Sequence, residues 1–156
     1  MGRALFYHLT RASVDSTLAT LAGRALEQGW NVLVRGTEAA RIDWLDQRLW
    51  LAGGEAGFLP HGIAGGAQDG DQPILLTTEQ GNANGALYLV SIDGAEITAD
   101  EIAAAERGVI LFDGHDEAAV AHARQQWKSL TGAGCAAEYW SEDSGRWQKM
   151  AEKPAG

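Results

Sequence analysis

The chain has 156 residues, 46% of them hydrophobic and 21% charged, and a net charge of −9. That length suits a single domain with a sizeable core, and no apolar run approaches the ~20 residues that cross a bilayer. So acidic a surface repels phosphate backbones, because nucleic-acid affinity comes mainly from Lys and Arg displacing counterions, so strong direct DNA binding is not expected.

Residues 4–9 are apolar and aromatic, and read as a first strand. Val14, Leu18, Leu21, Ala22, Ala25 and Leu26 recur at helical spacing, with Ser13 or Ser16 as cap and Gly29 as stop. A short apolar strand follows at residues 31–34. Thr37 can cap a second helix carrying Ile42, Leu45 and Leu49, ended at Gly53-Gly54. Residues 53–73 are rich in Gly and read as a long loop, a feature that in compact domains is often functional. Strands are predicted at residues 74–77, 87–92 and 109–112. A short Ala-rich helix is predicted over residues 99–107 and a long one over 116–131. Residues 136–141 read as a last strand, Ser144-Gly145 as a turn, and residues 151–156 as a flexible tail after a domain spanning 1–150. The alternation predicts one α/β domain, a Rossmann-like, mostly parallel twisted sheet with helices on both faces.

Chemistry is harder to find. The turn after the first strand, His8-Leu9-Thr10-Arg11-Ala12-Ser13, has no glycine, so it cannot bring its backbone close to a pyrophosphate. No Gly-rich loop runs into Lys-Ser or Lys-Thr, so a P-loop is absent. His115 and His122 are seven residues apart, whereas i,i+4 is the usual helical metal pairing. Cys135 follows Gly134 at a helix end, away from the N-terminal position that would activate a thiol, and no nucleophile elbow occurs. No cofactor and no metal are expected. A nucleotide-binding or hydrolase-type enzyme with degenerate motifs remains the alternative reading. Cys135 is the sole cysteine and residues 1–7 lack the apolar stretch of a secretory signal, which together predict a cytoplasmic protein with no membrane partner.

Charge is unevenly spread. No Lys or Arg lies between Arg48 and Arg107, whereas Arg124, Lys128, Arg146, Lys149 and Lys153 gather toward the C-terminal end. Such a basic end on an acidic protein can receive an acidic partner. Arg124, Trp127 and Lys128 share one helix face at i, i+3 and i+4, with Val120 one turn earlier.

Several segments resemble the chi subunit of bacterial DNA polymerase III. They are Ala4-Leu5-Phe6-Tyr7, Leu45-Asp46-Gln47-Arg48-Leu49-Trp50, Phe58-Leu59-Pro60-His61-Gly62-Ile63-Ala64-Gly65, Gln72-Pro73-Ile74-Leu75-Leu76 and Ala123-Arg124-Gln125-Gln126-Trp127-Lys128. The resemblance implies a non-catalytic clamp-loader accessory protein with two protein partners. One is the acidic C-terminal tail of single-stranded DNA-binding protein (SSB), ending in Asp-Phe-Pro-Phe. The other is the psi subunit or an equivalent clamp-loader component. Val120, Arg124, Trp127 and Lys128 then form the SSB-tail site. Val120 and Trp127 wall a slot for the terminal Phe, Arg124 offers a fork to its carboxylate, and Lys128 attracts the Asp side chains. Trp50, Phe58, Pro60 and His61 form the psi-facing surface, with aromatics as anchors beside a rigid Pro turn. Family members can carry a basic residue where this chain has Val120.

Overall fold

The computed structural model describes residues 2–53 and 60–155; for residues 50–53 the description is of backbone alone. Eight strands form one sheet: β1 (Arg3–Leu9), β2 (Val32–Arg35), β3 (His61–Ile63), β4 (Ile74–Thr77), β5 (Tyr88–Ser91), β6 (Arg107–Asp113), β7 (Ala136–Ser141) and β8 (Gln148–Lys153). Their spatial order is β3-β4-β2-β5-β6-β1-β7-β8, parallel throughout except for β8, which runs antiparallel to β7. Among the described residues four helices cover it: α1 (Val14–Glu27), α2 (Ala39–Gly53), α3 (Ala99–Ala103) and α4 (Glu117–Gly132).

The strands alternate their side chains between two cores. Leu5, Leu9, Val32, Val34, Ile74, Leu76, Val90 and Val109 pack with α1 and α2, whereas Phe6, Leu33, Leu75, Leu89 and Ile110 pack with the helices of the other face. A parallel strand buried on both sides needs apolar residues at every position, and this explains the unbroken apolar runs of β2, β4 and β6. Ser13 caps α1 through its hydroxyl, and Gly29 takes a left-handed φ of 82° just past its end. Gly108 matters for packing, since a Cβ there would lie 2.5 Å from the Ile102 side chain that α3 lays over the sheet.

Three sequence expectations need correction. The long loop of residues 53–73 contains, in its described part, the edge strand β3 and a 3-10 turn at Asp69–Asp71. Strand β3 is three residues long and draws its hydrogen bonds from β4, so nothing local marks it. The helix expected over residues 99–107 ends at Ala103, and Arg107 already belongs to β6. Residues 151–153, assigned to a C-terminal tail, continue β8. Strand β8 is exposed along its whole length, Met150 included, and only its pairing with β7 makes it a strand.

One charge is fully interior. Arg35 is 1% exposed and donates to the carbonyls of Glu79 (3.0 Å), Gly81 (3.0 Å) and Glu96 (2.9 Å), and bidentately to Glu101 (2.8 and 3.1 Å). Burial raises the Glu101 pKa, but the Arg35 bonds and the Thr98 cap outweigh it and hold the carboxyl below its usual range. Arg35→Met leaves Glu101 without its cation and frees three carbonyls. It is expected to lower unfolding free energy by about 3–5 kcal/mol in urea denaturation; a loss within 0.5 kcal/mol would show the hub to be incidental.

Candidate protein-binding site

Asp116 caps α4 by accepting the N–H groups of Ala118 and Ala119. The buried Ala123 and Leu130 seat the helix on the sheet, and the small Ala123 side chain permits close approach. This docking turns the face carrying Val120, Arg124, Trp127 and Lys128 partly outward. Val120 and Trp127 are half-buried, packed against the core, and Arg124 and Lys128 are exposed. The Trp127 ring meets Phe6 edge-on at 5.3 Å and Tyr139 at 6.1 Å. Tyr139 in turn shares a 2.8 Å hydrogen bond with Nδ1 of His8. Burial pushes the Tyr139 hydroxyl pKa up, against the opposing charge of Arg124, so the phenol stays neutral. Among the described residues neither Arg124 nor Lys128 makes a hydrogen bond or ion pair. The four side chains thus lie together as a cationic edge beside an aromatic one.

The other predicted surface is changed in one respect. Pro60 is half-buried, but the His61 side chain is turned inward, its Nε2 3.0 Å from both the carbonyl and a carboxylate oxygen of Asp46 on α2. With its side chain 0% exposed, His61 braces the segment from below and is not a contact residue. The Trp50 side chain and the whole of Phe58 lie outside the described residues. Of the tryptophans without an assigned role, Trp30 stacks on Tyr88 at 6.3 Å, and Trp44 lies under the guanidinium groups of Arg41 and Arg48, each 4.8 Å away.

The nucleotide alternative meets an obstacle at the β1–α1 turn. In dinucleotide-binding folds this turn offers its N–H groups to phosphate. Here the N–H groups of Thr10, Arg11 and Ala12 all donate to one carboxylate oxygen of Glu142, at 3.1, 3.0 and 3.0 Å. The chain fills its own anion cradle. His115 and His122, weighed as metal ligands, instead meet separate backbone carbonyls, those of Thr10 and Gly94. Burial raises the Cys135 pKa, so the thiol is held in its unreactive form.

Sequence reasoning missed Glu142 and Arg35. A turn without glycine that opens a helix signals orphan N–H groups, yet nothing in the turn names a carboxylate 130 residues away as their acceptor. An Arg at the end of an apolar strand is the only trace of the second.

The chain is an α/β protein of Rossmann-like architecture whose β1–α1 turn is closed by its own Glu142. The family model for the DNA polymerase III chi subunit, HolC, matches residues 1–138, and the chain belongs to that family. It is accordingly a non-catalytic accessory subunit of DNA polymerase III, acting in DNA replication. No curated protein matches the chain. No helix among the described residues is long and apolar enough to cross a membrane.

Burial opposes ionisation of Glu142, but the three N–H donors win and lower its pKa from the ordinary 4.5. A depressed carboxyl stabilises the fold fully above the unfolded pKa and loses that contribution as pH falls through the folded value. Glu142→Gln is therefore expected to cost about 1–3 kcal/mol at pH 7 and to flatten the acid limb of the stability profile. Urea titrations at several pH values check both; an unchanged acid limb would remove Glu142 from the account.

Proposed function

We propose that this subunit links the DNA polymerase III clamp loader to SSB by capturing the acidic C-terminal tail of SSB on the α4 face. The observation that carries the reading is the pair of exposed, unpartnered cations, Arg124 and Lys128, flanking the half-buried Trp127 ring. The terminal Phe of the tail enters the slot between Val120 and Trp127. Its carboxylate takes the fork of Arg124, which suits planar anions better than an ammonium does. Lys128 acts on the Asp side chains as a point charge. Burying a Phe contributes ~1.5–3 kcal/mol and a charge-assisted hydrogen bond roughly 1.5–3. Set against the cost of association, the result is roughly micromolar, about −8 kcal/mol.

The link to the clamp loader runs through a second surface, where α2 gives way to β3. Pro60 contributes there to the surface for the psi subunit or its equivalent, Trp50 and Phe58 are its proposed aromatic anchors, and His61 holds Pro60 and β3 against α2.

Calorimetry with a peptide ending in Asp-Phe-Pro-Phe tests the reading. Micromolar binding at low salt is expected, weakening as salt rises. Arg124→Ala, or removal of the final Phe, each weakens it at least about tenfold, the loss of one charged bond or one buried ring. Equal affinity for wild type and Arg124→Ala would place the tail elsewhere.

A further inference from the structure

Across the sheet from α4, helix α1 and the segment from β7 to Trp147 border a cavity of about 360 Å³ that the tail-binding reading does not use. This is near the lower end of ligand pockets, room for one aromatic side chain with its neighbours. Tyr7, Leu21, Trp140 and Trp147 give it apolar walls, and α1 adds Thr17 and Arg24. The Trp147 ring is exposed and meets Tyr7 edge-on at 5.2 Å.

Ser16, Thr20 and Trp140 in this cavity already donate to Ser13, Ser16 and Glu138, but four of its polar groups have no partner. The Tyr7 hydroxyl, the Thr17 hydroxyl, the Trp147 indole N–H and the Arg24 guanidinium make no hydrogen bond among the described residues. A guanidinium and an indole N–H can only donate, and burial raises the Tyr7 pKa, keeping that hydroxyl protonated. Arg24 is exposed and has no carboxylate partner although the chain carries a net −9. The cavity is also held in shape from both ends. Glu142 ties the β7–β8 connection to the β1–α1 turn, and the Arg11 guanidinium lies over Gly145.

We propose that this cavity is a second docking site, which takes one aromatic side chain of an acidic peptide segment in a partner protein. The ring packs on Tyr7 and Trp147, and a flanking carboxylate takes Arg24. An aromatic ring satisfies the apolar walls, and the acidic flank gives the exposed Arg24 guanidinium the carboxylate it lacks among the described residues. A nucleic-acid strand fits poorly, because one guanidinium on an acidic protein gives no basic track for successive phosphates. Trp140 and Trp147 both lie past residue 138, where the family match ends, so two walls of the site come from this chain's own C-terminal hairpin.

The test is a 15N NMR titration of the full chain with the peptide acetyl-Asp-Asp-Phe-Asp-Asp-amide. Its blocked end lacks the terminal carboxylate that the α4 site reads. The indole N–H signals of Trp140 and Trp147 and the amides of Thr17 and Arg24 are expected to shift and saturate. Arg24→Gln should weaken binding about tenfold, and Trp147→Ala should abolish it. Arg124→Ala should leave it unchanged, which separates this site from the tail site whichever of the two fails. Arg24 is exposed, so its variant decides the matter even where Trp147→Ala unfolds. Absence of shifts at these signals, or an unaltered affinity in Arg24→Gln, would overturn the proposal. So would shifts confined to α4, the same signals moving only with oligothymidine, or their moving with protein concentration alone as a second copy covers the site.

Discussion

The carboxylate of Glu142 on the three N–H groups of the β1–α1 turn is the constraint from which much else follows. The first turn of a helix leaves backbone donors that must be satisfied, and a scaffold of this kind ordinarily meets them with a ligand phosphate. Here an internal anion does so permanently. One contact thereby closes the phosphate position at the C-terminal end of β1 and fixes where the chain turns from β7 toward β8. The last strand is exposed on its full length, so it has little apolar burial of its own to hold it. Its place depends on pairing with β7 and on this tether.

Arg35 plays the matching part at the next division of the sheet. It stands at the end of β2, beside β5, and gathers the carbonyls of two separate connections and the carboxylate of α3. The two clamps have opposite sign but the same effect: charges that would otherwise line an open crevice are consumed by the fold. A nucleotide enzyme needs mobile or ligand-facing groups at these strand ends. Among the described residues, exposed cations left without a partner include Arg124 and Lys128 on α4 and Arg24 on α1. That distribution suits recognition of other proteins, and it agrees with membership of a non-catalytic family.

The sequence disclosed what is local. Strands buried on both faces announce themselves as apolar runs, as residues 74–77 and 109–112 do, and α4 is legible from its spacing and from Asp116. The absence of glycine after β1 argued against a dinucleotide site, but nothing in that turn pointed to Glu142 as the acceptor of its N–H groups. Features defined by distant partners stayed hidden. Strand β3 needs β4, β8 needs β7, and the end of α3 is set by Arg107 joining β6 rather than by any helix stop. His61 shows the same limit at a candidate site. A histidine next to a proline in a Gly-rich segment reads as exposed, and only the fold brings Asp46 of α2 within 3.0 Å of it.

Net charge and local charge act here at different ranges, and the difference bears on selectivity. At a distance beyond the ~8 Å screening length of physiological salt, a −9 protein offers DNA no attraction. Within that length, a ligand at the α4 face meets Arg124 and Lys128 before the rest of the surface. An anion alone gains little there, because one charge-assisted bond does not by itself offset the cost of association. An anion joined to an aromatic ring gains the half-buried surface of Trp127 as well. The requirement for both features at once favours a peptide end over a polyphosphate.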